Sequence, residues 1–80
     1  MSKKMISLEE LRAIILAEAA KDERCEGVER VSFYQVEEEN CANWTVSFIG
    51  GEPGNQAFGA MAKILQRLSA RYDVAWETRH

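Results

Sequence analysis

The chain has 80 residues, of which 46% are hydrophobic and 29% are charged. These fractions are typical of a small globular domain and exclude a collagen-like, low-complexity or wholly disordered chain. Ten basic and thirteen acidic side chains give a formal net charge of -3, so the chain as a whole does not attract nucleic acid or anionic lipid. No segment resembles a secretory signal or approaches the ~20 apolar residues of a membrane span. We therefore expect a cytoplasmic protein that contacts no membrane.

The length of the chain limits the core that it can bury. A domain of this size removes only about 60 to 65% of its unfolded surface from water, so self-association would add useful burial. We expect residues 1–80 to form a single domain, frayed at residues 1–5 and 78–80, that associates with itself as a homodimer or with another protein.

The first predicted element is a helix. Ser7 and Glu10 have the spacing of a capping box, which predicts that helix one begins at Leu8 and ends near Asp22 or Glu23. Its apolar stripe is wider than contact with one sheet requires. The stripe consists of Leu8, Leu11, Ile15 and Ala19, flanked by Ile14 and Leu16.

Two strands follow, joined as a hairpin. Residues 28–37 are rich in β-branched and aromatic side chains, but the alternation is imperfect, so either both faces are partly covered or a bulge shifts the register. Residues 43–49 alternate cleanly, which predicts one apolar face and one polar face. The apolar face is expected to carry Trp44, Val46 and Phe48, and the polar face Asn43, Thr45 and Ser47.

A glycine-rich and proline-containing loop over residues 50–54 precedes the second helix. Asn55 is the predicted N-cap, and the helix is expected to run to about Arg71. Five residues at helical spacing are expected to pack on the sheet, namely Phe58, Met61, Ile64, Leu65 and Leu68. Alternation of Tyr72, Val74 and Trp76 with polar or small residues then predicts a short third strand.

These elements predict an α+β fold with the order α-β-β-α-β. We expect a two-layer sandwich in which two helices pack on one face of a three-stranded, mainly antiparallel sheet, with the strand order undetermined. The opposite sheet face then remains open. Tyr34, Val36 and Ile49 are expected on that face, which makes it the first candidate for a protein contact surface.

Residue types suited to catalysis or to metal binding are sparse. The single histidine, His80, is the last residue, and Cys25 and Cys41 lack the spacing of redox or zinc motifs, so we expect free thiols. The acidic residues 37–39 are typical of a solvated turn. We therefore predict no catalytic residue, no cofactor and no metal site. An enzyme would require a pocket assembled across a dimer interface, where Cys41 or the glutamates gather partners from a second copy.

A second hypothesis concerns the basic residues of helix two. Lys63, Arg67 and Arg71 recur every four residues and therefore line one side of the helix. Three such cations suit an anionic partner, so a weak nucleic-acid-binding module is the alternative to protein contact. The bland interpretation is a solvated helix face whose cations lie toward the negative end of the helix dipole.

Several short segments occur in a distinctive order between residues 43 and 74. Asn43-Trp44-Thr45-Val46 precedes a Gly/Pro turn and an alanine-rich helix, and Leu68 is followed at the fourth and fifth positions by Tyr72 and Asp73. In this the chain resembles a group of small uncharacterised alphaproteobacterial proteins, in which a Trp-Xaa-Val strand is followed by a helix and a Leu-Xaa-Xaa-Xaa-Tyr-Asp segment. The resemblance implies a bacterial origin and the same helix and strand arrangement, and it implies no activity or ligand.

Overall fold

A computed structural model describes residues 3–38 and 41–76. The elements found there are β1 Lys4–Ile6, α1 Leu8–Ala20, a 3-10 helix Glu23–Cys25, β2 Val28–Gln35, β3 Trp44–Gly51, α2 Asn55–Ser69 and β4 Tyr72–Val74. The mixture of helices and strands confirms the α+β class. Strands β2 and β3 pair in antiparallel orientation, whereas β1 and β4 form a separate parallel pair. The prediction of one three-stranded sheet is therefore wrong, because the described strands form two sheets of two.

Strand β1 is the element that the sequence analysis did not predict. Lys4 and Met5 fall in the segment expected to fray, but they lie in β1, with Lys4 opposite Tyr72. The strand pair continues beyond its ends, since the Lys4 amide donates to the Arg71 carbonyl at 2.9 Å and the Ala75 amide donates to the Ile6 carbonyl at 2.8 Å. The predicted third strand thus exists as β4, but its partner is β1. The expected frayed end at residues 78–80 lies outside the described part of the chain.

Helix α1 begins where the sequence predicts. The Ser7 hydroxyl accepts from the Glu10 amide at 3.0 Å, and the Glu10 carboxylate accepts from the Ser7 amide at 3.4 Å, which completes the capping box. The helix ends at Ala20, slightly earlier than expected, because Asp22 caps the 3-10 helix that follows. Its predicted stripe is the buried one, formed by Leu11, Ile15 and Ala19.

A bulge in β3 alters the predicted faces of the hairpin. Ser32 lies opposite Phe48 and Phe33 lies opposite Val46, so Ser47 is an extra residue without a partner on β2. Because side chains alternate along a strand, this extra residue reverses the sides on which the later residues point. Phe48 is consequently 59% exposed and does not share the buried face of Trp44.

The same bulge places the Ile49 side chain on the opposite face from the one predicted. It lies opposite Val31, which is 2% exposed, and it packs against the hydrophobic core. The sequence placed Ile49 on the open face beside Tyr34, and that placement is wrong because the bulge turns Ile49 inward.

Helix α2 differs from expectation at its start. Its N-cap is Gly54, which offers no side-chain hydrogen bond, and Asn55 is the first helical residue. The buried face is formed by Ala57, Ala60, Met61, Ile64 and Leu68. Phe58, which was expected to pack on the sheet, is 56% exposed because it lies at the edge of this alanine-rich face.

The two sheets are joined at Asn43. Its side-chain amide donates to the Val74 carbonyl at 2.8 Å and accepts from the Val74 amide at 2.8 Å, as a neighbouring strand would. The Asn43 carbonyl also accepts from the Trp76 indole at 2.8 Å, and the Trp44 indole donates to the Tyr72 carbonyl at 3.0 Å. The start of β3 is thereby fixed to β4 through side chains.

We expect Asn43→Ala to lower the free energy of unfolding by about 2 kcal/mol, because the amide of the buried Val74 loses its partner, while the Val74 carbonyl keeps the Trp76 amide as a donor. Urea denaturation followed by circular dichroism measures the change. Asn55→Ala is the matched control, since Asn55 is exposed and its side chain caps nothing; it should change stability by less than about 0.5 kcal/mol. Equal losses in the two variants would contradict this role of Asn43.

Candidate functional site

The outer face of the β2–β3 hairpin carries exposed aromatic side chains. We define this outer face by the residues Arg30, Ser32, Tyr34, Thr45, Phe48 and Gly50, which pair across the two strands. Tyr34 is 56% exposed and Phe48 is 59% exposed. They are diagonal neighbours, because Tyr34 follows Ser32 by two positions and Ser32 lies opposite Phe48. The Arg30 side chain and the Phe48 ring lie over Gly50, which is buried beneath them.

The inner face of the same hairpin is closed by α1. The Arg12 guanidinium lies 5.7 Å from the Phe33 ring centroid, and its Nε donates to the Val31 carbonyl at 3.3 Å. Phe33 in turn meets Trp44 edge to face, with 6.0 Å between ring centroids. These contacts leave the outer face as the open side of the hairpin within the described residues.

The three predicted contact residues do not share one surface. Tyr34 lies on the outer face. Val36 is half-buried and lies just after the last residue of β2. Ile49 lies on the inner face. Phe48 is the exposed residue that the sequence analysis missed, and the imperfect alternation of β2 was the one indication that a bulge disturbs this hairpin.

A groove runs between β3 and α2. It consists of two cavities of about 660 and 360 Å³ that meet at Val46. We call it the α2–β3 groove. The wall on the side of the hairpin is formed by β3 residues 44–49, and Tyr34, Gln35 and Val36 extend it around the larger cavity. The other wall is a stripe of α2 that comprises Phe58, Ala62, Leu65, Gln66 and Ser69. Neither wall carries a charged side chain, and the lining acids are Glu37 and Glu38 at the end nearest Tyr34.

The predicted basic stripe lies on another side of α2. Arg67 forms an ion pair with Glu18 of α1. The pKa of Asp22 is lowered chiefly by its hydrogen bonds from Arg24 and to a small extent by the charge of Lys63. Arg71 is exposed just after the helix. Two of the three cations therefore face acidic groups of the same chain, which compensates part of their charge.

Acidic residues gather where β2 begins and β3 ends. Two open cavities of about 580 and 680 Å³ are lined there by several carboxylates, namely Asp22, Glu23, Glu26, Glu29 and Glu52. Asp22 is paired with Arg24, with 2.8 Å between the carboxylate and the guanidinium. No group of three or more possible ligands within residues 3–38 and 41–76 is arranged to hold a metal ion.

The two cysteines are free thiols in different surroundings. Cys25 is buried at the end of the 3-10 helix, and burial raises the pKa of its thiol. Cys41 is exposed and borders the α2–β3 groove. The described part of the chain contains no histidine, because His80 lies outside it.

Comparisons of the chain with protein-family models, with curated proteins and with solved structures find no match. Among the helices that the structure describes, none has the length and apolar character needed to cross a membrane.

We expect iodoacetamide to alkylate Cys41 at least about tenfold faster than Cys25 in the native protein at pH 8, because a buried thiol with a raised pKa forms little thiolate. Mass spectrometry of timed digests measures both rates. In denaturing urea the two alkylation rates should become similar. A large difference between them that persists in urea would show that the neighbouring residues, and not burial, determine the rates, and would contradict this prediction.

Proposed function

We propose that this chain is a small protein-contact module that forms a homodimer through the outer face of its β2–β3 hairpin. The observation that carries the proposal is the pair of large aromatic side chains, Tyr34 and Phe48, each more than half exposed on one sheet face. Exposed aromatic residues grouped on one surface mark interaction sites, because their burial supplies much of the binding energy at protein interfaces.

The dimensions of the molecule support association. The chain measures 36 × 31 × 19 Å and exposes 5894 Å² of surface, whereas a compact monomer of this size exposes roughly 4,900 Å². A flat molecule of this kind gains from packing its open sheet face on a second copy.

The outer face carries one charged residue, Arg30, while acids lie at both ends of the hairpin, Glu29 and Glu52 at the Arg30 end and Glu37 and Glu38 beyond the other. A twofold axis through the middle of the face places two hairpins in antiparallel orientation, about 10 Å apart, with Arg30 of each copy near Glu37 and Glu38 of the other. Such pairing orients the two copies, while the aromatic residues supply the apolar contact.

The proposal assigns contact, not catalysis, and a cytoplasmic location. Free thiols support that location, because an exposed thiol such as Cys41 persists in a reducing compartment. The basic stripe supports nucleic-acid binding less well, because Arg67 is already paired with Glu18 and the arginine's charge is compensated within the chain.

We expect light scattering after size exclusion, over a wide concentration range in reducing buffer, to give the mass of a dimer. Tyr34→Asp should raise the dimer dissociation constant at least about tenfold, because it places a carboxylate in the apolar centre of the contact. Ser32→Arg should do the same, since Ser32 is exposed on that face opposite Phe48.

Met5→Asp is the matched control, because Met5 is 60% exposed but lies on β1, in the other sheet. It should remain dimeric, and circular dichroism should show all variants folded. A wild-type monomer at every concentration would overturn the proposal, and so would a folded Tyr34→Asp protein that dimerises unchanged.

A further inference from the structure

The free edge of β3 is open to a further strand. Strand β3 pairs with β2 along one edge, and no strand of the described chain pairs with its other edge. Proteins usually protect such edges with charges, proline or bulges. Residues 43–51 contain no charged residue and no proline, and the bulge at Ser47 limits regular pairing to short segments. The edge therefore suits a short extended peptide better than a continuous sheet.

The stripe of α2 that faces this edge is also uncharged. Phe58, Ala62 and Leu65 lie on it at spacings of four and three residues, and Phe58 is 56% exposed. The small Ala62 side chain leaves space between helix and strand, whereas Phe58 at the end of the groove offers an aromatic wall. An apolar side chain that points from an added strand toward α2 would be buried there.

The charged residues at one end of the groove indicate which end of a bound segment carries a basic residue. Glu37 and Glu38 are exposed at the end near Tyr34 and line the larger cavity. Among the described residues that line the two cavities, these two carry the charge. A lysine or arginine at one end of an extended segment would meet these carboxylates, and the remainder would meet uncharged walls.

We propose that the α2–β3 groove binds an extended segment of a partner protein, which adds as a short strand to the free edge of β3. The segment is apolar at alternate positions and carries a lysine or arginine at the end that meets Glu37 and Glu38. Main-chain hydrogen bonds to β3 supply sequence-independent affinity, and side-chain contacts with Phe58 and Leu65 supply selectivity.

The groove shares Tyr34, Thr45 and Phe48 with the outer face of the proposed dimer, but Ser32 belongs to the outer face alone and Phe58 to the groove alone. Variants of these two residues therefore separate a failure of one proposal from a failure of the other.

Selection from a phage-displayed library of random octapeptides on the immobilised full-length chain tests this inference. We expect enriched peptides with alternating apolar residues and a terminal lysine or arginine. For synthetic copies of these peptides, measured by fluorescence anisotropy, Phe58→Asp should weaken binding at least about tenfold. The double variant Glu37→Gln and Glu38→Gln should weaken binding less and should reduce its dependence on salt.

Two control variants separate the groove from the dimer. Ser32→Arg and Met5→Asp lie outside the lining of the groove and should bind the peptides as the wild type does. Amide hydrogen exchange should show added protection of residues 46–49 when peptide is bound, because the peptide forms main-chain hydrogen bonds with β3. Contact between apolar side chains alone would not protect these amides.

Failure to enrich any peptide above the unselected library would overturn the inference. Enriched peptides that bind folded Phe58→Asp as tightly as the wild type would overturn it as well. If Phe58→Asp abolishes the dimer and selected peptides dissociate the wild-type dimer, the groove holds a second copy instead of a partner peptide, and the inference is again wrong.

Discussion

The reciprocal hydrogen bonds between the Asn43 side chain and Val74 hold the two halves of the fold together. A side-chain amide presents one donor and one acceptor in nearly the geometry of a peptide group, so Asn43 acts as a one-residue strand beside β4. Its backbone carbonyl accepts from both Val36 and Trp76, and its backbone amide donates to the Asp73 carboxylate. Hydrogen bonds from the residue that follows β2, from β4 and from the segment after β4 therefore converge on Asn43, which helps to set where the parallel β1–β4 pair lies relative to the hairpin.

The parts of the fold that the sequence predicts are those governed by local chemistry. The capping box of Ser7 and Glu10, the buried stripe of α1 and the hairpin strands each follow from residues a few positions apart. Strand β1 is different, because three residues carry too little alternation to be recognised and its partner β4 lies at the far end of the chain. The hydrogen bonds of Asn43 could not be predicted either, because their partner Val74 is also distant in sequence. An asparagine at the start of a strand is ordinary until Val74 is brought beside it.

The two faces of the hairpin depend on a bulge that the sequence of β3 does not indicate. Residues 43–49 alternate so regularly that Phe48 is predicted inside, yet Ser47 is left without a partner, and Ile49 takes the inner position opposite Val31. Burying a phenylalanine side chain stabilises a fold by roughly 1.5–3 kcal/mol. Phe48 contributes little of this, and the half-buried Ile49 replaces it only in part. An outer face that bears both Phe48 and Tyr34 therefore gains stability when another surface covers it.

Helix α2 serves two surfaces because its charges are confined to one side. Arg67 pairs with Glu18 and ties the helix to α1, while Phe58, Ala62 and Leu65 lie along β3. The regular spacing of its cations, which favours an anionic partner, also has a structural consequence within the chain. The buried face of α2 fixes the rotation of the helix about its axis, and the exposed ion pair on one side is compatible with it, so the uncharged stripe borders β3. Moving the charges of Lys63 and Arg67 one position toward the N-terminus would place them at positions 62 and 66, which line the groove, and the uncharged lining on which the proposed peptide binding depends would be lost.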